Sequence, residues 1–168
     1  MNVADIDRVR EIEAAAGQTF RTVGMDRIAD DAAPSAERLA RYVQKQRGWV
    51  WAADGEPAAG YLLVDIVDGH AHIEQVSVHP DYAGRRIGAA LVEYAVQWGA
   101  ARSLDVVTLT TYRDVAWNAP YYWRMGFRPV PENRLGAGLR TIRQREIQAG
   151  LDEWPRVTMR RCLPRVAS

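Results

Sequence analysis

"HPDYAGRRIGAALV", residues 79–92, sits between a run that reads as a strand and a run that reads as a helix. Its turn places two glycines, Gly84 and Gly88, around Arg85 and Arg86. The first N–H groups of a helix have no partner inside it, and the helix dipole makes that end positive. Glycine lets a ligand approach the backbone closely, so such a turn can cradle a phosphate. A plain turn with solvated arginines would use the same residues, and the surrounding chain decides between the two.

Working outward, "HAHIEQVSVH" before the turn reads as a strand, reached through the hairpin signal Asp68-Gly69 from an earlier strand, "AAGYLLVDIV". "WVWAA" is a strand before that, with Asp54-Gly55 as its turn. On the other side, Ile87, Ala90, Leu91, Tyr94, Ala95 and Trp98 recur at helical spacing and predict one buried face. "VVTLTT", residues 106–111, is a buried strand, and "NAPYYWRMGF" a short helix stopped at Gly126. Phe127 begins another strand, Leu135 to Gly150 offers a helix, and Arg156 to Cys162 a last strand. Near the start, Ile6, Val9 and Ile12 mark a helix ending near Gly17. The stretch "GMDRIADDAAPS" reads as irregular, and Ser35 caps a second helix with Leu39, Tyr42 and Val43 inward. Hairpins precede a strand–helix–strand unit, so the sheet is mixed: antiparallel early, parallel across the helix of residues 86–101.

A chain of 168 residues with one cysteine reads as a single domain, 1–168, without an internal disulfide. That fits a reducing, cytoplasmic setting. No apolar run reaches the ~20 residues of a membrane span, so no membrane partner is expected. The net charge of +1 argues against nucleic-acid binding. It conceals an asymmetry: residues 1–101 carry 10 Arg/Lys and 15 Asp/Glu, and residues 102–168 carry 12 Arg and 6 Asp/Glu. An acidic half beside a basic half suits a cationic substrate next to an anionic cofactor, and charges mixed over the folded surface would give the same count, since sequence halves need not be spatial halves.

Three segments in register, "HIEQVSVHPDYAGRRIGAALVEYA", "VTLTT" and "WNAPYYWRMGF", resemble the GNAT superfamily of acyl-CoA-dependent N-acetyltransferases. The resemblance implies an α/β (α+β) fold, with a mixed, mostly antiparallel, twisted sheet flanked by helices and splayed between its fourth and fifth strands. The family normally opens with a short strand; here "VADIDRV" already leads into the first helix, so either that strand is missing or the true start lies upstream. The implied activity is direct transfer of an acetyl group from acetyl-CoA, as co-substrate, to an amine of a small molecule, peptide or protein. No metal is implied, and a homodimer is compatible with the sequence.

The family's phosphate loop reads Arg or Gln, two residues, Gly, one residue, then Gly or Ala. Here Ala83 replaces the first position and Arg86 the first glycine, while Gly88 remains. Since such a cradle consists chiefly of backbone N–H groups, Gly84, Arg85, Arg86, Ile87, Gly88 and Ala89 are expected to hold the CoA pyrophosphate, with the guanidiniums assisting. The resemblance assigns the pantetheine arm to the backbone of Val76, Ser77 and Val78, where an N–H can also stabilise the developing oxyanion. Glu74, on the same strand and on the face of Val78 by alternation, is the expected base. An exposed strand Glu paired with an arginine would look the same, and His72 is the runner-up base. Tyr122, four residues before Gly126-Phe127, matches the family's proton donor to the leaving thiolate. Asn118 matches its CoA-contacting asparagine and is also placed to cap the helix entered through Pro120.

Other residues weigh less. His70 and His72 lack further ligands at metal-site spacing. Cys162 has no His partner and reads as packing, and the six tryptophans as mostly core. The acceptor is expected around Phe20–Asp31 and the loop Pro129–Gly138, with Asp26, Asp30 and Asp31 suited to a cation. A non-catalytic acyl-CoA-binding module is the alternative reading. A nucleotide-phosphate protein lacks its Gly-Lys-Ser/Thr signature.

Overall fold

The computed structural model describes residues 1–163. Its helices are α1 (Ile6–Gly17), α2 (Asp26–Ala29), α3 (Ala36–Gln44), α4 (Ile87–Ala100), α5 (Ala119–Arg124) and α6 (Ala137–Gln148). Six strands, β1 (Gly48–Trp51), β2 (Gly60–Val67), β3 (His70–Val78), β4 (Val106–Tyr112), β5 (Arg128–Pro129) and β6 (Arg156–Cys162), form a sheet in the order β1-β2-β3-β4-β6-β5. The described residues resolve into two compact units: residues 1–64 with 75–94, and residues 65–74 with 95–163.

In the first unit the chain enters α1 through a short 3-10 turn, Val3–Asp5, whose Ala4 N–H donates to Asn2 Oδ1 at 2.8 Å. The first strand is therefore β1, after three helices. Ile6, Val9 and Ile12 of α1 are buried with Leu39 and Tyr42 of α3 and Tyr61 and Leu63 of β2. The cap of α3 is as read: Arg38 N–H donates to Ser35 Oγ at 3.2 Å. The stretch of residues 24–35, expected to be irregular, is corrected in part: after a 3-10 segment, Gln18–Val23, it holds the short helix α2. Met25 and Ala29 are buried there, and two apolar anchors suffice to order a local turn that propensity alone would not. Close approach is required at Gly60, where an added Cβ would meet Ser77 O at 3.0 Å and Ile87 Cγ2 at 3.1 Å.

The buried face of α4 also needs correcting. Ile87, Leu91, Ala95 and Trp98 are buried as read, but Ala90 is exposed and Tyr94 is 44% exposed, and Val92 and Val96 are buried in their place. Apolar residues run around most of this helix, so several stripes compete. The β-branched pair suits the sheet, while Tyr94 packs its ring beside Trp49 at 5.2 Å.

In the second unit β4 and β6 pair antiparallel over seven residues, from Val106↔Cys162 to Tyr112↔Arg156. β3 and β4 run parallel, as the strand–helix–strand reading requires. Among the described residues their pairing covers only Ala71↔Val107 to Ile73↔Leu109, although both strands continue beyond it. The Asp68-Gly69 hairpin has both residues left-handed, φ 51° and 77°. Asp68 then reaches helix α6: Gly138 N–H donates to its Oδ1 at 2.7 Å and Leu139 N–H to its Oδ2 at 3.0 Å. These bonds hold the Asp68 carboxyl below its usual range.

Two further expectations fail. Cys162 is exposed, because strand alternation puts it on the side of the exposed Arg160, opposite the buried Met159 and Leu163. Of the tryptophans, Trp98 is buried, but Trp117 and Trp123 are exposed, and Trp123 serves instead as a platform for Arg128, 4.2 Å above its ring.

Candidate functional site

The residues singled out above fall into two groups, one in each unit. In the first unit the chain leaves β3 through a 3-10 turn, Pro80–Tyr82, in which Asp81 N–H donates to His79 Nδ1 at 3.2 Å. Residues 83–86 follow, all exposed, and α4 begins at Ile87. Gly84 has φ 77° and Arg86 has φ 60°. Arg86 thus holds, with a side chain, a left-handed conformation that glycine adopts without strain. Ala90 N–H donates to Arg86 O at 3.0 Å, so the amides of Arg86, Ile87, Gly88 and Ala89 precede the first helical bond. Four N–H groups at a positive helix end, with Arg85 and Arg86 in solvent beside them, can hold a diphosphate. Arg85 lies over the Tyr82 ring at 5.1 Å and borders a cavity of about 450 Å³ lined also by Trp51, Glu56 and Asp81.

The end of β3 in this unit carries a feature that the sequence did not disclose. Ser77 Oγ donates to Glu13 Oε2 at 2.6 Å, and Tyr61 Oη donates to the same oxygen at 2.7 Å. Gln75 Nε2 donates to Glu13 Oε1 at 3.2 Å and to Ser77 Oγ at 3.0 Å. Burial first, and then the neighbouring Glu13 carboxylate, push the Tyr61 phenol well above its ordinary pKa, so it remains a donor. One signal was available: Glu13 falls seven residues after Ile6 and four after Val9, in line with the apolar stripe of α1. The acidic residues expected to receive a cation are differently engaged. Arg21 bridges Asp26 at 3.2 Å and also pairs with Asp30, so two of the three already have a counter-ion.

In the second unit His72 is 1% exposed, and its Nδ1 lies 2.9 Å from Thr108 Oγ1. Burial lowers its pKa to about 4, which leaves the ring neutral at pH 7 and a much weaker base than an ordinary imidazole. Glu74, with a side chain 25% exposed, places Oε2 at 3.9 Å from His72 Nε2. Tyr122 is flanked edge-on by Tyr121 at 5.5 Å and Phe127 at 5.8 Å. Burial of its hydroxyl, with a smaller contribution from Tyr121, raises its pKa, so its proton is in place throughout the working range. Gly126, at φ 89°, ends this segment as the sequence predicts. Asn118 corrects its capping role: it stands at the start of α5 but makes no side-chain cap bond. Its Oδ1 turns back to β4 and accepts from Thr111 Oγ1 at 2.7 Å. Only its backbone carbonyl serves the helix, accepting from Tyr122 N–H at 3.0 Å.

Residues 8–127 match the sequence profile of the Acetyltransferase (GNAT) family. The chain belongs to that family. Solved GNAT structures share the fold at low identity. The ribosomal-protein-S18-alanine N-acetyltransferase of Escherichia coli superposes with a TM-score of 0.67 at 17% identity, covering 100% of this chain and 93% of that one. A GNAT acetyltransferase from Staphylococcus aureus gives 0.71 at 14% identity, covering 98% and 96%. A PaiA N-acetyltransferase from Thermoplasma acidophilum, solved with coenzyme A, gives 0.69 at 14% identity, covering 96% and 95%. Membership makes this chain an acetyl-CoA-dependent transferase.

Proposed function

We propose that the protein acetylates a primary amine by direct transfer, with donor and acceptor bound together. Bound acetyl-CoA supplies an activated acetyl thioester; the chain's own residues bind, orient and move protons. The amides from Gly84 to Ala89 hold the pyrophosphate, and Arg85 and Arg86 add charge. The backbone of Val76, Ser77 and Val78 holds the pantetheine arm, and Asn118 orients it. Glu74 takes a proton from the amine, directly or through water. His72, neutral and weakly basic, leaves that task to the carboxylate. Tyr122 gives its proton to the departing thiolate. The single cysteine suits a reducing compartment, so the reaction is placed in the cytoplasm.

The observation that carries this reading is the turn: within a GNAT match, the amides of Arg86 to Ala89 stand ahead of the first helical bond, with Arg85 and Arg86 in solvent beside them. Calorimetric titration of acetyl-CoA and CoA tests it. Binding in the micromolar range that is lost in Gly88→Glu, where a carboxylate would meet the pyrophosphate, is the expected result. No binding to the wild type would overturn the reading. Thiol release with a panel of amines then separates an enzyme from a binding module, and Tyr122→Phe should slow that release by roughly 10²-fold or more.

A further inference from the structure

On the reading that the acceptor is an amine, we propose that the Glu13 carboxylate holds the acceptor's ammonium group. Helix α1 carries Glu13 onto the same part of the first unit as the end of β3, whose backbone at Ser77 is assigned to the donor's arm. Three side chains from β2 and β3 fix it: Tyr61 and Ser77 both donate to Oε2, and Gln75 to Oε1. All three donors are uncharged, so they orient the carboxylate without neutralising it. Arg38 reaches this cluster as a field at the Tyr61 hydroxyl.

Counting lone pairs sharpens the point. A carboxylate offers about four acceptor positions. Two close bonds occupy Oε2 and one occupies Oε1, which leaves Oε1 a position for one further donor. An ammonium brings that donor together with the missing positive charge, and such a charge-assisted bond is about twice as strong as a neutral one. The carboxylate is half-buried, where water screens less than at the surface. It is also pre-set in direction, which lowers the ordering cost of binding. Asp26 and Asp30 contrast on each count, being exposed and already paired with Arg21. Glu13 acts here as a specificity group for cationic amines, distinct from the base.

The test uses the full chain saturated with CoA and two probes, spermidine and a short peptide with a free α-amine, titrated calorimetrically. At least one probe should bind the wild type. Glu13→Gln, which keeps shape and removes charge, should weaken that binding by about tenfold or more, the change that 1.4 kcal/mol produces. Tyr61→Phe, which leaves the charge, should cost less. Failure of both probes to bind the CoA-loaded wild type, or equal binding by Glu13→Gln, overturns the assignment. If Glu13→Gln does not fold, Glu13→Asp decides instead: it withdraws the charge by one methylene and should still weaken the probe measurably, and unchanged affinity overturns the assignment. The CoA titration keeps the two readings apart. Absent CoA binding sinks acetyl transfer and this inference together, whereas normal CoA binding with indifferent probes sinks only the ammonium role.

Discussion

Two arginine clusters in this chain do opposite things. Arg85 and Arg86 stand in solvent at the start of α4. Arg143 of α6 is 5% exposed and donates to Glu146 Oε2 at 2.6 Å and to Asp152 at 2.9 and 2.6 Å. Arg156 of β6 joins that second cluster, reaching Glu146 Oε1 at 3.1 Å and lying over the Tyr112 ring at 4.4 Å. Every guanidinium edge of Arg143 that meets a carboxylate stabilises the fold and is unavailable to a ligand. The turn arginines stand in solvent, Arg85 over the Tyr82 ring at 5.1 Å, and on the proposed reading they serve the CoA pyrophosphate. An arginine in a basic half therefore says nothing about function until its partners are known.

The largest effect separating the clusters should come from Arg143→Ala. It leaves Glu146 with Arg156 as its cation, takes both bonds from Asp152, and should cost about 3 kcal/mol of stability, lowering Tm by roughly 6–12 °C. CoA affinity measured well below that Tm should be unchanged; a loss of CoA binding there would break the division between structural and ligand arginines.

Acid should find a second weak point in the same unit. His72 has a folded-state pKa of about 4, against 6.5 when unfolded, so the unfolded chain binds the extra proton first. This contribution is complete above pH 6.5 and is lost as pH falls toward 4, by about 3 kcal/mol in total. Denaturant titrations across that window should show the slope, and His72→Gln should flatten it. An unchanged slope would mean that another group controls acid unfolding.

For the turn, Arg85→Ala with Arg86→Ala should weaken CoA by about tenfold, in keeping with one to two charge-assisted bonds at an exposed site. Higher salt should shrink the difference from wild type, while Tm barely moves. A large fall in Tm would place these arginines with Arg143 after all. The smallest effect is Arg86→Gly. It relieves a left-handed side chain and adds backbone freedom in the unfolded chain, so the net stability change should stay within about 1 kcal/mol, read as Tm.

The turn was legible in the sequence because its information is local: two glycines, a strand before and a helix after. The same holds for the Ser35 cap and the Asp68-Gly69 hairpin. The Glu13 cluster was not, because its partners lie 48 to 64 residues away and are recognisable only when paired strands bring Tyr61 and Ser77 together. Asn118 was read by position alone, and position does not reveal that Thr111 competes for its oxygen. The face of α4 failed for a different reason: a helix apolar on most sides has no single stripe, so tertiary packing chooses.

The tie between Asp68 and helix α6 gives the chain an order in time. A ribosome delivers the β2–β3 hairpin about 70 residues before the amides of Gly138 and Leu139 that it will bind. The carboxylate can therefore be waiting on a formed turn when the late helix emerges. An added Cβ at Gly138 would lie 2.7 Å from Val67 Cγ1 and 2.9 Å from Asp68 Oδ1. A side chain there would hinder the docking of the last helix while leaving the earlier hairpin free to form.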